Sequence, residues 1–218
     1  HSHLGSKSSH ITDTNQLAIS HGSDIENVIT GHGDDTVIGT DLDNLIVTGT
    51  GSDTIFAGHG ADYIRSGTGA DHIDLSETVQ SQDTVMLDAP SADFGVDIIY
   101  GFAQGASGDI FDVSAILTSI FELFPVVISG SAPPANFSEG ILRLIGSDLS
   151  TAMDLSNAFK LGGGFETLSI DTGSNALIIS ANSQATGEDQ SVFIAESNSG
   201  VITTTQLALL QGNALDID

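Results

Sequence analysis

The chain has 218 residues, with 29 Asp and Glu against four Lys and Arg and no Cys, for a formal charge of −25 at neutral pH. So acidic a balance excludes nucleic acid as a partner and argues against anionic membrane surfaces, and the lack of Cys excludes disulfides and thiolate metal sites. Yet 39% of residues are apolar, so a core is expected, mostly beyond residue 90, in one elongated domain or two small ones.

Residues 1–11 (HSHLGSKSSHI) read as a tag or linker remnant, so His1, His3 and His10 are set aside. With no secretory signal ahead of it, the chain is expected to be the C-terminal end of something longer. Residues 12–88 form the first folding region. Thr12–Ser20 is a degenerate lead-in strand, with Ile19 nine places before Val28. Six uninterrupted blocks of nine follow from His21 to Asp74: HGSDIENVI, TGHGDDTVI, GTDLDNLIV, TGTGSDTIF, AGHGADYIR and SGTGADHID. The eighth place is always aliphatic: Val28, Val37, Ile46, Ile55, Ile64, Ile73. The sixth is Glu26, Asp35, Asn44, Asp53, Asp62, Asp71. Gly fills the second place in all blocks but the third, and the fourth place in four.

Three residues centred on the aliphatic make a short strand with its middle side chain inward. The other six make a turn, in which Gly permits positive φ. Two blocks then complete a coil of two strands on opposite sheets, and coils stack at about the 4.8 Å strand spacing. Turns on one side therefore lie directly over one another, with carbonyls and carboxylates facing the gap. A hard cation wanting six to eight oxygens at about 2.4 Å suits such a gap. A Gly-rich acidic linker would have similar composition, but it would not hold an aliphatic residue at every ninth place. With thirteen acids and one base, Arg65, between residues 21 and 88, a compact fold without cations would repel itself.

The pattern G-G-x-G-x-D-x-U-x resembles the calcium-binding nonapeptide of the RTX (repeats-in-toxin) family, a parallel β-roll, over about a quarter of the chain. Blocks two, four and six stack on one side, with Asp35, Asp53 and Asp71 in the ligand place and two well-formed gaps between them. The resemblance implies that carbonyls of Thr30, His32, Thr48, Gly49, Thr50, Gly51, Gly67 and Gly69 complete these Ca2+ sites. Blocks one, three and five form the other side, with Glu26, Asn44 and Asp62. The corresponding oxygens there are those of Gly39, Asp41, Gly58 and Gly60. Thr40 and Leu42 replace both glycines of block three, and Asn44 carries no charge, so one weak site is expected between Asn44 and Asp62. A site near Asp62 and Asp83 requires the loop after Asp74 to fold back. His32, His59, His72 and His21 fall at turn or block-edge places where any side chain is allowed; a transition-metal site would need coils one apart to bring two of them together.

After Asp74 the period breaks. Val85 in DTVMLD stands twelve residues after Ile73, nine plus a three-residue insertion, and Ile99 and Phe111 continue the beat in longer strands. Residues 89–218 read as a β-rich C-terminal capping region, since repeat folds need their ends covered. It is expected to hold a helix AILTSIFELF stopped by Pro125, and a second, STAMDLSNAFKL, stopped by Gly162–Gly164. Strands are expected at VVIS, ILRLI, FETLSID, ALIIS and QSVFIAES, while VITTTQLALLQGNALDID is ambiguous between helix and strand. The fold class is thus mostly β, a two-sheet parallel β-roll followed by a β-rich cap with one or two short helices.

No apolar run reaches the ~18 residues of a membrane helix; the longest candidate, Ile116–Ile128, is broken by Glu122 and Pro125. H-E-x-x-H, G-x-S-x-G and a P-loop lysine are missing, so the chain is read as non-catalytic. The resemblance implies a secreted protein exported through a type I ABC transporter, with an uncleaved signal in the last ~60 residues. That stretch lacks Lys and Arg after Lys160 and ends Leu215-Asp216-Ile217-Asp218, the closing Asp departing from the family's apolar last residue. The alternative is a surface-layer or adhesin anchor, or a carbohydrate-contacting accessory module of a secreted enzyme, with cell-surface polysaccharide as the partner.

Overall fold

The computed structural model describes residues 8–10, 16–18, 25–88, 95–103, 108–116, 126–129, 140–145, 175–181, 189–198 and 201–211. They form sixteen strands, and none of them is helical. The chain divides into two compact units, residues 1–115 and 116–217.

The first unit is a parallel β-roll. Its strands are β1 (Ser8–His10), β2 (Gln16–Ala18), β3 (Asn27–His32), β4 (Thr36–Thr40), β5 (Leu45–Thr50), β6 (Thr54–Gly58), β7 (Tyr63–Thr68), β8 (His72–Asp74), β9 (Thr84–Met86), β10 (Asp97–Tyr100) and β11 (Ile110–Asp112). Odd-numbered strands line up as one sheet in the order β1-β3-β5-β7-β9-β11, and even-numbered ones as β2-β4-β6-β8-β10. Every pairing within the roll is parallel.

Register follows the eighteen-residue coil that two nonapeptides dictate. Val28 faces Ile46 and Ile46 faces Ile64 in one sheet, while Val37 faces Ile55 and Ile55 faces Ile73 in the other. These aliphatics, with Val85 and Ile99, are at most 1% exposed. Burying each contributes about 1.5–3 kcal/mol, and a one-residue slip would turn them all outward, which fixes the register. The roll thus has its own core, ahead of the region beyond residue 90.

The stack does not end with the last block. Val85 faces Ile64, 21 residues back, so the three extra residues sit in the turn after β8. Ile99 faces Ile73 and Phe111 faces Val85. Phe111 is only half-buried and stacks on Phe102, ring centroids 4.4 Å apart. At the other end a lead-in strand precedes the blocks, but Leu17 rather than Ile19 is in register with Val37. A two-residue shift preserves strand parity, so alternation alone does not separate the two. β1, within the segment set aside as tag or linker, is the first strand of the odd sheet.

The second unit holds β12 (Val126–Ser129), β13 (Gly140–Ile145), β14 (Asn175–Ala181), β15 (Gln190–Asn198) and β16 (Val201–Gln211), neighbours in that order. β12, β13 and β14 pair in parallel, whereas β14, β15 and β16 pair antiparallel with a bulge at Val192/Phe193. The ambiguous stretch is therefore a strand through Gln211, its β-branched Val201–Thr205 lying along β15. Val192, Phe193, Ile194 and Ala195 are all buried in succession, as expected of a strand covered on both faces. The two expected helices and the FETLSID strand lie outside the described residues, apart from a turn at 114–116.

Candidate metal centre

Two columns of turns flank the sheets, and each column is a ladder of carboxylates. On the side formed by the turns into β4, β6 and β8, Asp53 Oδ1 accepts the Asp35 backbone N–H at 2.8 Å. Asp71 Oδ1 accepts that of Asp53 at 2.9 Å, and Asp97 Oδ1 accepts that of Asp71 at 3.0 Å. Asp53, Asp71 and Asp97 therefore each use one oxygen to tie down the turn above.

The glycines make this close stacking feasible. Gly49, Gly51, Gly67 and Gly69 have φ between 101° and 131°. A Cβ on Gly49 or Gly67 would meet the carbonyl oxygen of Gly31 or Gly49 at 2.2 or 1.9 Å. Peptide oxygens thus line the space between successive turns, where no side chain fits. The first place of these blocks adds a second ladder: Thr30 Oγ1 donates to the Thr48 carbonyl and Thr48 Oγ1 to that of Ser66, both at 2.8 Å. Sequence reading missed these hydroxyls; the signal was a Thr, Thr, Ser series in the even blocks against His, Gly, Ala in the odd ones.

The opposite column begins differently. The Asn44 amide oxygen accepts the Thr40 N–H at 2.8 Å within its own turn, and its Nδ2 donates to Thr40 Oγ1 at 3.1 Å. Below it the carboxylate ladder resumes. Asp62 Oδ1 accepts the Asn44 N–H at 2.7 Å, and Asp83 Oδ1 that of Asp62 at 2.9 Å. Asp109 Oδ1 accepts the N–H of Asp83 at 2.9 Å. The inserted loop does fold back: Ser81 Oγ lies 2.9 Å from the Gly60 carbonyl, and Glu77 Oε2 accepts the Ser81 N–H at 3.0 Å. Asp83 was expected here only if the loop folded back, while Asp97, Asp109 and Glu77 were not among the expected site residues. Asp83 to Asp109 is 26 residues, so only the stacking, not the nonapeptide count, brings them into line.

Protein donors do not satisfy these columns. Both carboxyl oxygens of Asp35, Oδ2 of Asp53, Asp62, Asp71 and Asp83, and Glu77 Oε1 are buried without a hydrogen-bond partner. Burial, the largest cause in each case, pushes the Asp53 carboxyl up to about 6 and that of Asp83 to about 7. Asp62 and Asp97 reach about 8. Asp71 and Asp109 are also raised by burial. Neighbouring acids add to this: Asp83 and Glu77 on Asp62, Asp71 on Asp97. Arg65, the one Lys or Arg between residues 21 and 88, is bound to Asp88 at 2.8 Å on the outer face. It is not available to neutralise the columns.

Buried, unpartnered, acceptor-only oxygens demand a cation, and a hard one. Among the described residues no three His, Asp or Glu side chains lie close enough to hold an ion by themselves. Backbone carbonyls must therefore supply much of the coordination, which suits Ca2+ and not a transition metal. Asp35, Asp53, Asp71 and Asp97 would hold ions on one side, and Asp62 and Asp83 on the other.

The remaining expected residues are distributed as follows. His32, Gly49, Thr50 and Gly67 line a groove of about 480 Å³ together with Arg65 and Asp88, and His32 Nδ1 lies 2.8 Å from Thr50 Oγ1. Gly39, Asp41 and Gly58 line a cleft of about 270 Å³ with His59. Gly60 sits at φ 96° over Leu42. His32 and His59 belong to turns on opposite columns, and His72 stacks on Tyr100 at 4.7 Å, so these histidines do not converge on a metal.

Two parallel sheets closed by carboxylate-lined turns define a calcium-binding β-roll. Residues 38–73, which span blocks three to six, match the family model of the RTX calcium-binding nonapeptide repeat in four copies. Ca2+ is the ion such repeats bind. No curated protein matches the chain. No helix among the described residues is long and apolar enough to cross a membrane.

Proposed function

We propose that this chain is the calcium-triggered, non-catalytic module of a secreted bacterial protein. It folds once outside the cell and carries a type I export signal within residues 160–218. The observation that carries this reading is the row of buried carboxylate oxygens without partners in both turn columns. A roll built this way is a poor fold without calcium and a good one with it. Cytosolic calcium is too low to fill sites of the extracellular class, which bind at about 0.1–1 mM. The acidic repeats then stay extended and thread a narrow transporter. Outside, calcium fills the gaps, and folding opposes backsliding. The lack of Lys and Arg after Lys160 supports the signal.

The test is to fuse residues 160–218 to a slow-folding passenger in a host with a matched transporter, alongside a version lacking the last dozen residues. Export that needs those residues is the expected result. Export indifferent to the deletion would leave residues 160–218 as a cap alone.

A further inference from the structure

The loop between β8 and β9 is not a nonapeptide, yet it brings a third buried, unpartnered carboxylate oxygen, from Glu77, to those of Asp62 and Asp83. We propose that Asp62, Asp83 and Glu77 form a calcium site of their own, with Glu77 a direct side-chain ligand, and that this is the tightest site in the molecule. The proposal rests on the calcium reading above and extends it to a site the repeat pattern does not define.

Three observations carry it. Asp62 and Asp83 are 2% and 0% exposed, and Oδ2 of each is buried without a partner while Oδ1 holds the turn above. Glu77 Oε1 is likewise buried and unpartnered, although the residue sits in a loop from which its side chain could reach solvent. Proton donors are also short where the loop closes. Ser81 Oγ lies 2.5 Å from Glu77 Oε2 and 2.9 Å from the Gly60 carbonyl, and its single proton serves one of them. An acceptor-rich pocket with three carboxylates and too few protons is completed by a cation.

The other gaps differ in charge. Each gap of the opposite column lies between two stacked aspartates, whereas this one adds a third carboxylate from outside the stack. Calcium affinity in oxygen sites rises with the number of charged ligands. Glu77 already reaches Asp83, whose carboxyl is pushed up by burial and further by Glu77. Since among the described residues no three acid side chains hold an ion by themselves, carbonyl oxygens such as that of Gly60 beside Ser81 complete the shell. The three-residue insertion in the register between β7 and β9 supplies the slack for this reach.

The experiment is calcium titration calorimetry on the full chain as wild type, Glu77→Gln, Glu77→Asp and Asp53→Asn. Gln keeps an acceptor for Ser81 and loses the charge; Asp keeps the charge on a shorter arm. Wild type should show one site tighter than the rest. Glu77→Gln should weaken that site about tenfold, as loss of one of three charged ligands implies. Glu77→Asp should fall between the two, and Asp53→Asn should leave the tight site in place. A Glu77→Gln isotherm that superimposes on wild type would overturn the proposal. Equal weakening by Gln and Asp would do the same, because it would make Glu77 a loop brace rather than a ligand. Failure of wild type itself to take up calcium would instead overturn the reading of the whole roll.

Discussion

The two turn columns of the roll solve one problem in two ways. The column of Asp35, Asp53 and Asp71 is built by repetition: turns with glycine at the same two places and a hydroxyl ladder, extended by Asp97 from outside the blocks. The column opposite starts with Thr40, Leu42 and Asn44, a turn closed on itself by side-chain hydrogen bonds. It then recovers its charge from Asp83, Asp109 and the Glu77 loop. The lesson is that strand register, not the nonapeptide formula, decides which carboxylates stand over one another. Any chain length between strands is allowed if the next acid returns to the ladder position.

Asp53→Ala gives the largest expected break in this comparison. Asp53 borders two gaps, accepting from the Asp35 N–H and donating its own to Asp71. At a free calcium ten times Kd each filled site contributes about 1.4 kcal/mol by mass action. The variant should therefore lose two ions and about 3 kcal/mol of calcium-dependent stability. Glu26→Ala, above the uncharged Asn44 turn, should lose at most one weakly held ion. Calorimetric stoichiometry separates them, and equal losses would contradict the ranking of the columns.

Asn44→Asp should sharpen the comparison by moving the weak column toward the strong one. A carboxylate still accepts the Thr40 N–H but adds charge over Asp62, so the upper gap should bind calcium up to about tenfold tighter. The same change should make the calcium-free roll less stable, because it buries another carboxylate. Chelator and calcium melts should therefore move in opposite directions.

The effect of pH is the smallest and the most graded. Without calcium, carboxyls raised by burial contribute stability that is fully present below their ordinary range near 4. It is lost as pH rises through about 6 for Asp53, about 7 for Asp83 and about 8 for Asp62 and Asp97. Calcium needs the ionised forms, so its affinity runs the other way and falls on acidification. The Asp62–Asp83 gap should begin losing affinity at a higher pH than the Asp35–Asp53 gap. Calcium titrations between about pH 6 and pH 8 check the order.

Much of the roll was legible because two periods coincide in it. An aliphatic every ninth residue fixes the strands, and pairing of blocks fixes the eighteen-residue register, so Val28 to Ile73 fall where spacing puts them. The same count placed Asp35, Asp53 and Asp71 in one line. It faltered where the period broke: Leu17 replaced Ile19 because parity is blind to a two-residue shift. Asp97 and Asp109 were missed because a ladder position is defined by the coil beneath it rather than by distance along the chain. Glu77 gave no signal at all, being one acid in a polar loop until Ser81 tied that loop to Gly60. In the second unit β16 stayed ambiguous because Gln206–Leu210 suits a helix as well as a strand; its pairing with β15 settled it through long-range contacts that local pattern does not encode.

The central claim is that calcium, through these columns, holds the roll together. Amide hydrogen exchange measured on the full chain in chelator and in millimolar calcium tests it directly. The account predicts that β3–β11 exchange freely in chelator and become protected with calcium. The β15–β16 hairpin, whose buried side chains include no carboxylate, should change far less. Protection of β3–β11 that is the same in chelator as in calcium would contradict it.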